Sequence, residues 1–416
     1  KILLKMKNVL IISYYWPPSG GPGVQRVLKF CKYLHKFGWR PIVLTVAKGD
    51  YPILDSSLGL DLKDIKVFQA KAFSLHRIFN LFNKKKHTPT FQLSSSENES
   101  IFVKISRWIR INIIIPDGRI GWYPNAVKVG DGIIKHNKID AILSSAPPYT
   151  AHLIAKRLSL SHNIPWVADF RDPWTDRFYN LENKRLWLTE KIDKYLETNV
   201  INIANKRITV SEAISKYYTK PFDVIPNGFD EEDFEVNNNN NNNKVVISYL
   251  GTMTKSQNPK CFFKEISNLN QKQNIYQIDL VGSIHPDIIN YIYKHKFDRF
   301  IKLLPYIKHS EAIQKMVDSS FLLLVIPNTK KNKGIITGKI FEYIRSMTKI
   351  IMIGPQNSDA AKIIEETSSG KCFSYEDRDS IASYLIDGKM STTKNFERYN
   401  RERLTEDLTK ILNDVL

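Results

Sequence analysis

The residues best equipped for chemistry stand in loops that follow short apolar runs. Gly334-Ile335-Ile336-Thr337-Gly338-Lys339-Ile340-Phe341-Glu342-Tyr343 sets a Thr-Gly-Lys turn at the start of a helical stretch. Main-chain N–H groups at a helix N-terminus, together with an ammonium, make a cradle for a diphosphate. Glu342, one turn further on, is placed to accept hydrogen bonds from ribose hydroxyls. The alternative is a capped helix with a solvated Lys339 and Glu342. Gly251-Thr252-Met253-Thr254-Lys255 offers a hydroxyl and an amine to a phosphate from another side, or is an ordinary surface loop. In Tyr14–Gly23, glycines that include Gly20 and Gly21 let the backbone approach a phosphate ahead of a helix. No G-x-G-x-x-G and no Gly-Lys-Ser/Thr of a P-loop fits there. Asp169-Phe170-Arg171-Asp172-Pro173-Trp174-Thr175-Asp176 gathers three carboxylates and an arginine. Arg171 could hold a phosphate or an acidic acceptor and Asp172 could orient a hydroxyl, unless the turn satisfies itself. His152, after Pro147-Pro148, is a candidate acceptor-side group or a packing residue. No H-x-x-x-H, H-E-x-x-H or G-x-S-x-G pattern occurs, which argues against a metal site and acyl-enzyme chemistry.

These loops need a scaffold of alternating strands and helices. Val9–Ser13, Pro41–Val46, Ile139–Ser144, Trp166–Ala168 and Arg207–Val210 read as strands of a first half. Val24–Phe37 reads as a helix, with Val24, Val27, Leu28, Cys31 and Leu34 at helical spacing and Gly38 as its stop. Further helices begin near Tyr149 and Ser211. The second half repeats the scheme: strands at Val245–Leu250, Tyr276–Val281, Phe321–Ile326, Lys349–Ile353 and Lys371–Phe373, and a helix at Lys339–Arg345. This alternation predicts an α/β protein of two doubly wound parallel sheets. The expected organisation is an N-terminal domain over 1–236, a mobile Asn237–Asn243 loop and a C-terminal domain over 244–393. A helical stretch over 394–416 closes the chain. Ligands of such domains bind at the carboxyl ends of the strands.

Composition narrows the class. The chain has 416 residues, 42% hydrophobic and 25% charged, which is ordinary globular usage. Lys and Arg number 61 against 42 Asp and Glu, a formal charge of +19 that calls for a polyanionic partner or surface. Three separated cysteines give neither a disulfide framework nor a zinc pattern. No run of about 18 apolar residues exists for a membrane span. Val9–Ile12 is too short for a signal-peptide core, so the chain is expected inside the cell.

One region breaks the alternation. Phe73–Ile115 is basic and apolar, with Lys84-Lys85-Lys86 and with Lys104, Arg107 and Arg110 at every third position around Trp108. As a helix, Ile101–Ile115 would carry these cations as one stripe. That suits the surface of an anionic membrane or a helix packed on its own domain with a solvated basic edge.

Taken in order, the loops resemble the retaining GT-B glycosyltransferases of glycosyltransferase family 4, also called group 1. The resemblance rests on Pro17–Gly21, on Val210-Ser211-Glu212 followed by Ile225-Pro226-Asn227-Gly228-Phe229-Asp230, on Tyr249-Leu250-Gly251-Thr252, and on Gly338–Tyr343. Pro17–Arg26 with Asp169–Trp174 looks like a bacterial subgroup that builds capsule, O-antigen or related surface polysaccharides.

The resemblance implies a metal-independent transferase without a cofactor, of hexosyl or N-acetylhexosaminyl type. A nucleotide diphosphate-sugar, with UDP-sugar favoured, would be held by the C-terminal domain. A lipid-linked glycan acceptor would be held by the N-terminal one. It implies phosphate contacts from Gly20, Gly21, Thr252, Lys255, Thr337, Gly338 and Lys339, ribose binding by Glu342, and a base seated by Pro305-Tyr306-Ile307. Lys255, Lys339, Arg171 and Asp172 would carry catalysis, and the last helix would cross back to the first domain. Two positions depart from the pattern. Gly334 stands where the first Glu of the E-x7-E motif is usual, and Thr252 where an Arg follows the strand glycine. The expected place is the cytoplasm, peripheral to the inner face of the plasma membrane through Phe73–Ile115. Two other readings stay open: a nucleotide-sugar epimerase of UDP-GlcNAc 2-epimerase type, resting on Asp169, Asp172 and His152, and a non-enzymatic basic module. No nucleic-acid partner is expected.

Overall fold

The structure is a computed structural model. It describes residues 6–51, 54–55, 58, 65–73, 101–175, 185–235, 244–330, 332–377, 379–387 and 392–416. The Asn237–Asn243 run, Lys84–Lys86 and Asp176 lie outside the described residues.

The chain forms two compact units. One comprises 1–210, 214–226 and 402–416; the other comprises 211–213 and 227–401. The first holds an all-parallel sheet in the order β3-β2-β1-β4-β5-β6-β7. Its strands are β1 (Lys7–Ile12), β2 (Trp39–Val46), β3 (Lys66–Ala70), β4 (Ala141–Ala146), β5 (Trp166–Phe170), β6 (Lys206–Thr209) and β7 (Asp223–Val224). Side chains alternate across a strand, so a central parallel strand must be apolar on both faces. Accordingly Leu10 and Ile12 of β1 join a core with Trp122, Ile154 and Trp166. Val9 and Ile11 join another on the opposite face, with Val27, Leu28 and Cys31 of helix α1 (Pro22–Tyr33). Leu404, Leu408 and Leu412 of the last helix, Arg401–Asp414, complete that second core.

The other unit repeats the plan, with the order β10-β9-β8-β11-β12-β13. These strands are β8 (Val245–Leu250), β9 (Tyr276–Val281), β10 (Ile301–Leu304), β11 (Phe321–Val325), β12 (Lys349–Ile353) and β13 (Gly370–Phe373). Leu323, Val325, Ile351 and Ile353 fill one face. Leu322, Leu324, Ile350 and Met352 fill the other.

The structure adjusts several expectations. The first helix begins at Pro22, whose fixed φ suits a helix start, and ends at Tyr33. Leu34–Phe37 tightens into a 3-10 turn, and Gly38 closes it at φ 80°. The two-residue β7 was not expected, nor were β3 and β10. β3 and β10 are edge strands that pair on one side only, so neither shows a long buried run; in β3 only Ala70 is fully buried. Lys394–Leu416 is not one helix: a 3-10 turn at Glu397–Tyr399 precedes Arg401–Asp414.

Candidate functional site

In the second unit the chain leaves β8 toward β9 and leaves β11 toward β12, on opposite sides of the sheet. The β8/β11 boundary is therefore the switch point at which such sheets bind ligands. The two loops that emerge there are bound to each other. Gln257 Nε2 donates to Val325 O at 2.8 Å, and Asn328 N donates to Ser256 O at 2.8 Å. Helix Lys339–Arg345 follows the second loop. Lys339 Nζ lies 4.0 Å from the centroid of the Tyr249 ring. Gly251, at φ 112°, makes room for it: a Cβ there would stand 3.1 Å from Lys339 Nζ. Gly282 serves the same approach, since a Cβ there would reach 2.6 Å from Gly251 O. Burial pushes the Lys339 ammonium down to about 7, with Glu342 opposing the shift. A cation held in a poorly hydrated place gains most from an arriving anion. Two residues before it, the hydroxyl oxygen of Thr337 is buried and has no hydrogen-bond partner among the described residues. Gly338 is the N-cap.

Glu342 sits one turn along the helix. Its Oε1 is 2.9 Å from His309 Nε2, and both side chains are partly buried. His309 opens the helix His309–Val317 that follows Pro305-Tyr306-Ile307. Tyr306 is 63% exposed, available to stack on a planar group. The sequence did not single out His309. Its signal was weak, a lone histidine after a strand-end loop.

Lys255 stands apart from this group: its Nζ is 2.9 Å from Asp287 on the neighbouring helix, and it is largely exposed. Thr252 accepts a hydrogen bond from the Tyr249 hydroxyl at 2.6 Å through its carbonyl, which fixes the loop beneath Lys339.

In the first unit Gly21 has φ 94°, and the space beside it is open. Gly20, before it, is buried. Arg171 is spent on main-chain carbonyls. It donates to Ala146 O at 3.2 Å, Gly23 O at 2.6 Å and Pro147 O. It therefore braces the loops after β1 and β4. Asp172 O accepts from the Tyr149 hydroxyl at 3.0 Å. Asp169 is 1% exposed and forms a two-point ion pair with Arg26, both contacts at 3.0 Å, and accepts from Ser145 Oγ at 2.7 Å. His152 is fully buried among Tyr149, Phe170 and Trp174. Ser144 Oγ accepts from Trp166 Nε1 at 2.8 Å and is hydrogen-bonded to His152 Nδ1 at 2.7 Å. Burial lowers the His152 pKa to about 3, so the ring is neutral and does packing work. Asp169 and His152 are thus engaged in the core, which removes two of the three groups an epimerase would need.

The expected helix over Ile101–Ile115 is seen as Ile101–Asn112, and the one stripe cation whose side chain is described, Arg110, does not face outward. Ile105 and Trp108 are exposed, whereas Arg110 is turned in beside Gly118 and Arg119. Arg119 pairs with Asp50 at 2.8 Å and lies 5.0 Å from the Tyr14 ring. This arginine–tyrosine group is absent from any one stretch of sequence. It is assembled from the segments after β1 and β2 and the one before Trp122.

The two parallel sheets and their strand-end loops define the GT-B class of glycosyltransferases. The sequence profile of Glycosyltransferase Family 4 matches residues 23–233, half of the chain. The chain belongs to glycosyltransferase family 4 and is a glycosyltransferase. Sucrose-phosphate synthase from Thermosynechococcus elongatus shares the fold with a TM-score of 0.65 at 13% identity, over 98% of each chain. HepE of Anabaena, in complex with UDP and glucose, gives 0.64 at 12% identity, over 98% of this chain and 100% of that one. The lipopolysaccharide outer core galactosyltransferase WaaB, in its apo form, gives 0.60 at 12%, over 99% and 100%. No curated protein matches the chain in a sequence search.

Proposed function

We propose that this protein moves one sugar, of hexosyl or N-acetylhexosaminyl type, from a UDP-sugar to a hydroxyl of a lipid-linked glycan in the synthesis of a bacterial surface polysaccharide. The observation that carries the donor half is the Lys339 ammonium, held over Tyr249 beside Gly251, with the Thr337 hydroxyl, unpartnered among the described residues, two positions before it. A diphosphate placed there meets a cation, helix N–H groups and a hydroxyl. As the glycosidic bond breaks, negative charge grows on the leaving diphosphate, and preorganised donors stabilise it most. Glu342 would hold the ribose, Tyr306 and Ile307 the base, and Lys255 a phosphate edge once released from Asp287. The acceptor would lie in the first unit, near Gly20, Gly21 and Asp172. The UDP bound to HepE supports the choice of base. The reading includes retention at the anomeric carbon and charge neutralisation by the chain's own cations rather than by a metal.

Thermal unfolding with UDP, GDP, CMP, dTDP and ADP tests the donor site. UDP at 100 times its Kd is expected to stabilise the fold by about 2.7 kcal/mol. A flat response to all five overturns the reading. Glu342 depends on His309 for its orientation, so His309→Ala is expected to weaken UDP binding about five-fold, close to one hydrogen bond's net worth of about 1 kcal/mol. Unchanged affinity in a titration would show that Glu342 is held without it.

The lipid half rests on an exposed apolar face. Ile105, Trp108 and Ile113 are 48–61% exposed, as are Leu186, Trp187 and Leu188 at 48–66%. Leu186 N donates to Asn112 Oδ1 and Thr189 Oγ1 to Asn112 O, which brings the two groups onto adjoining helices. Lys191 Nζ lies 4.0 Å over the Trp187 ring, a cation at the edge of the face. Co-sedimentation with anionic vesicles at low salt should recover the protein in the pellet, and W108A/W187A together should release most of it. Wild-type protein left in the supernatant would end the membrane proposal.

A further inference from the structure

Arg110 lies half-buried on the helix Ile101–Asn112 and makes no hydrogen bond or ion pair with any described residue. Its Nε lies 3.8 Å from where a Cβ would stand at Gly118. The charge that acts on it most strongly is another cation, Arg119, opposed more weakly by Tyr15, Asp117 and Asp50. The carboxylates around them are engaged elsewhere. Asp50 Oδ2 accepts from Arg119 Nη1 at 2.8 Å. Asp117 accepts from Thr150 N at 3.0 Å, from Thr150 Oγ1 at 2.9 Å and from Arg119 N at 2.9 Å. Taking a guanidinium partly out of water beside a like charge, with no partner among the described residues, is costly. An arriving anion reverses that cost, and guanidinium forks suit phosphate oxygens in particular.

The place of the pair matters. Tyr14 and Tyr15 follow β1, Asp50 and Tyr51 follow β2, and Asp117 caps the helix Thr150–His162 that follows β4. β1 and β4 are neighbours whose onward connections run to opposite sides, so this is the switch point of the first sheet. The Tyr14, Tyr15 and Tyr51 rings cluster with centroids 5.4–6.4 Å apart. Such a wall suits a sugar ring next to the anion.

We propose that Arg110, with Arg119 behind it, binds a phosphate or diphosphate group of the acceptor, so that the acceptor is recognised by its anion as well as by its sugar. This deepens the glycosyl-transfer reading and rests on it. The site is separate from the Lys339 cradle and uses no residue of it.

The test is calorimetric titration of inorganic pyrophosphate into the full chain saturated with UDP, which fills the donor cradle. Wild type should bind, Arg110→Ala should bind at least ten-fold more weakly, and Lys339→Ala, titrated without UDP, should keep this binding event. Arg110→Lys should fall between wild type and Arg110→Ala. Equal affinity in wild type and Arg110→Ala, or no binding to wild type, overturns the proposal. If Arg110→Ala unfolds, Arg110→Gln and Arg119→Lys, checked by thermal unfolding, give the same comparison. UDP binding is read first, so its failure sinks the donor reading alone, and pyrophosphate titrated without UDP still decides the Arg110 site. Glucose 1-phosphate and geranyl diphosphate separate the sources. Tighter binding of the former points to a free sugar phosphate and of the latter to a lipid carrier, and either one, lost in Arg110→Ala, supports the site.

Discussion

Lys339→Ala is expected to lower kcat/KM by about 10²–10³-fold, the usual loss when one preorganised charge-stabilising donor is removed from a transition state. The fold should survive the change. Lys339 stands over Tyr249 with its pKa held down near 7, whereas in an unfolded chain a lysine ionises near 10.5. Between those values the unfolded state binds the extra proton, so this group's contribution to stability rises as pH rises through the window. Below about 7 the full cost of burying the charge remains. Lys339→Met should therefore unfold at the same temperature as wild type or a few degrees higher at pH 7, while losing turnover. Active sites often trade stability for function in this way. The same shift gives a pH signature. The ammonium is charged below about 7, so donor affinity should decline as pH rises past that point, and UDP binding should take up protons near neutrality. Lys339→Arg should flatten the profile, because a guanidinium stays charged. Turnover within a few-fold of wild type in Lys339→Ala would show that the diphosphate is held elsewhere.

Asp169→Ala should be the most destabilising change in the first unit, at about 3–5 kcal/mol, because it leaves a buried charge without its partner. Arg26 is fully buried, lies 4.9 Å from the Phe30 ring and donates also to Pro226 O at 3.0 Å, so it cannot turn to water. The melting temperature should fall by roughly 10 °C, given about 2–4 °C per kcal/mol at this size. Replacing both partners by Arg26→Met and Asp169→Leu should restore most of the loss, since a buried pair is often worth little more than an apolar pair. A small effect of Asp169→Ala in denaturant titration would mean that water reaches the pair. The two predictions separate cleanly: one variant stays folded and inactive, and the other fails by unfolding.

The strands that lie inside the sheets could be read directly. Val245–Leu250, Tyr276–Val281 and Lys349–Ile353 are short, mostly apolar stretches because both their faces are largely buried, and their observed limits are the expected ones. The helix at Lys339–Arg345 was equally plain, from Thr337-Gly338 at its start. β3 and β10 escaped notice because an edge strand buries little, and Lys66–Ala70 carries mixed residues that a loop could also carry. The chemistry divides in a similar way. Lys339 and Glu342 could be singled out because the Thr337-Gly338 turn and the helix that carry them are local in sequence, whereas the groups they meet, Tyr249 and His309, could not. Arg171, Asp169 and His152 also stood as candidates, since sequence reports a charge or a ring and not what it faces.

By itself the sequence determined the α/β alternation, the positions of the strand-end loops and the Thr-Gly-Lys turn, since periodicity and turn residues act over a few positions. Only the tertiary structure decided how each charged side chain is used. It gave Arg171 to three carbonyls and Asp169 to Arg26, set Lys339 over Tyr249, and left Arg110 beside Arg119. The physical reason is that the free energy of a charge depends on its burial and its partners. Arg119 is nine positions from Arg110, but the other partners stand tens to more than a hundred positions away, joined only when the strands align.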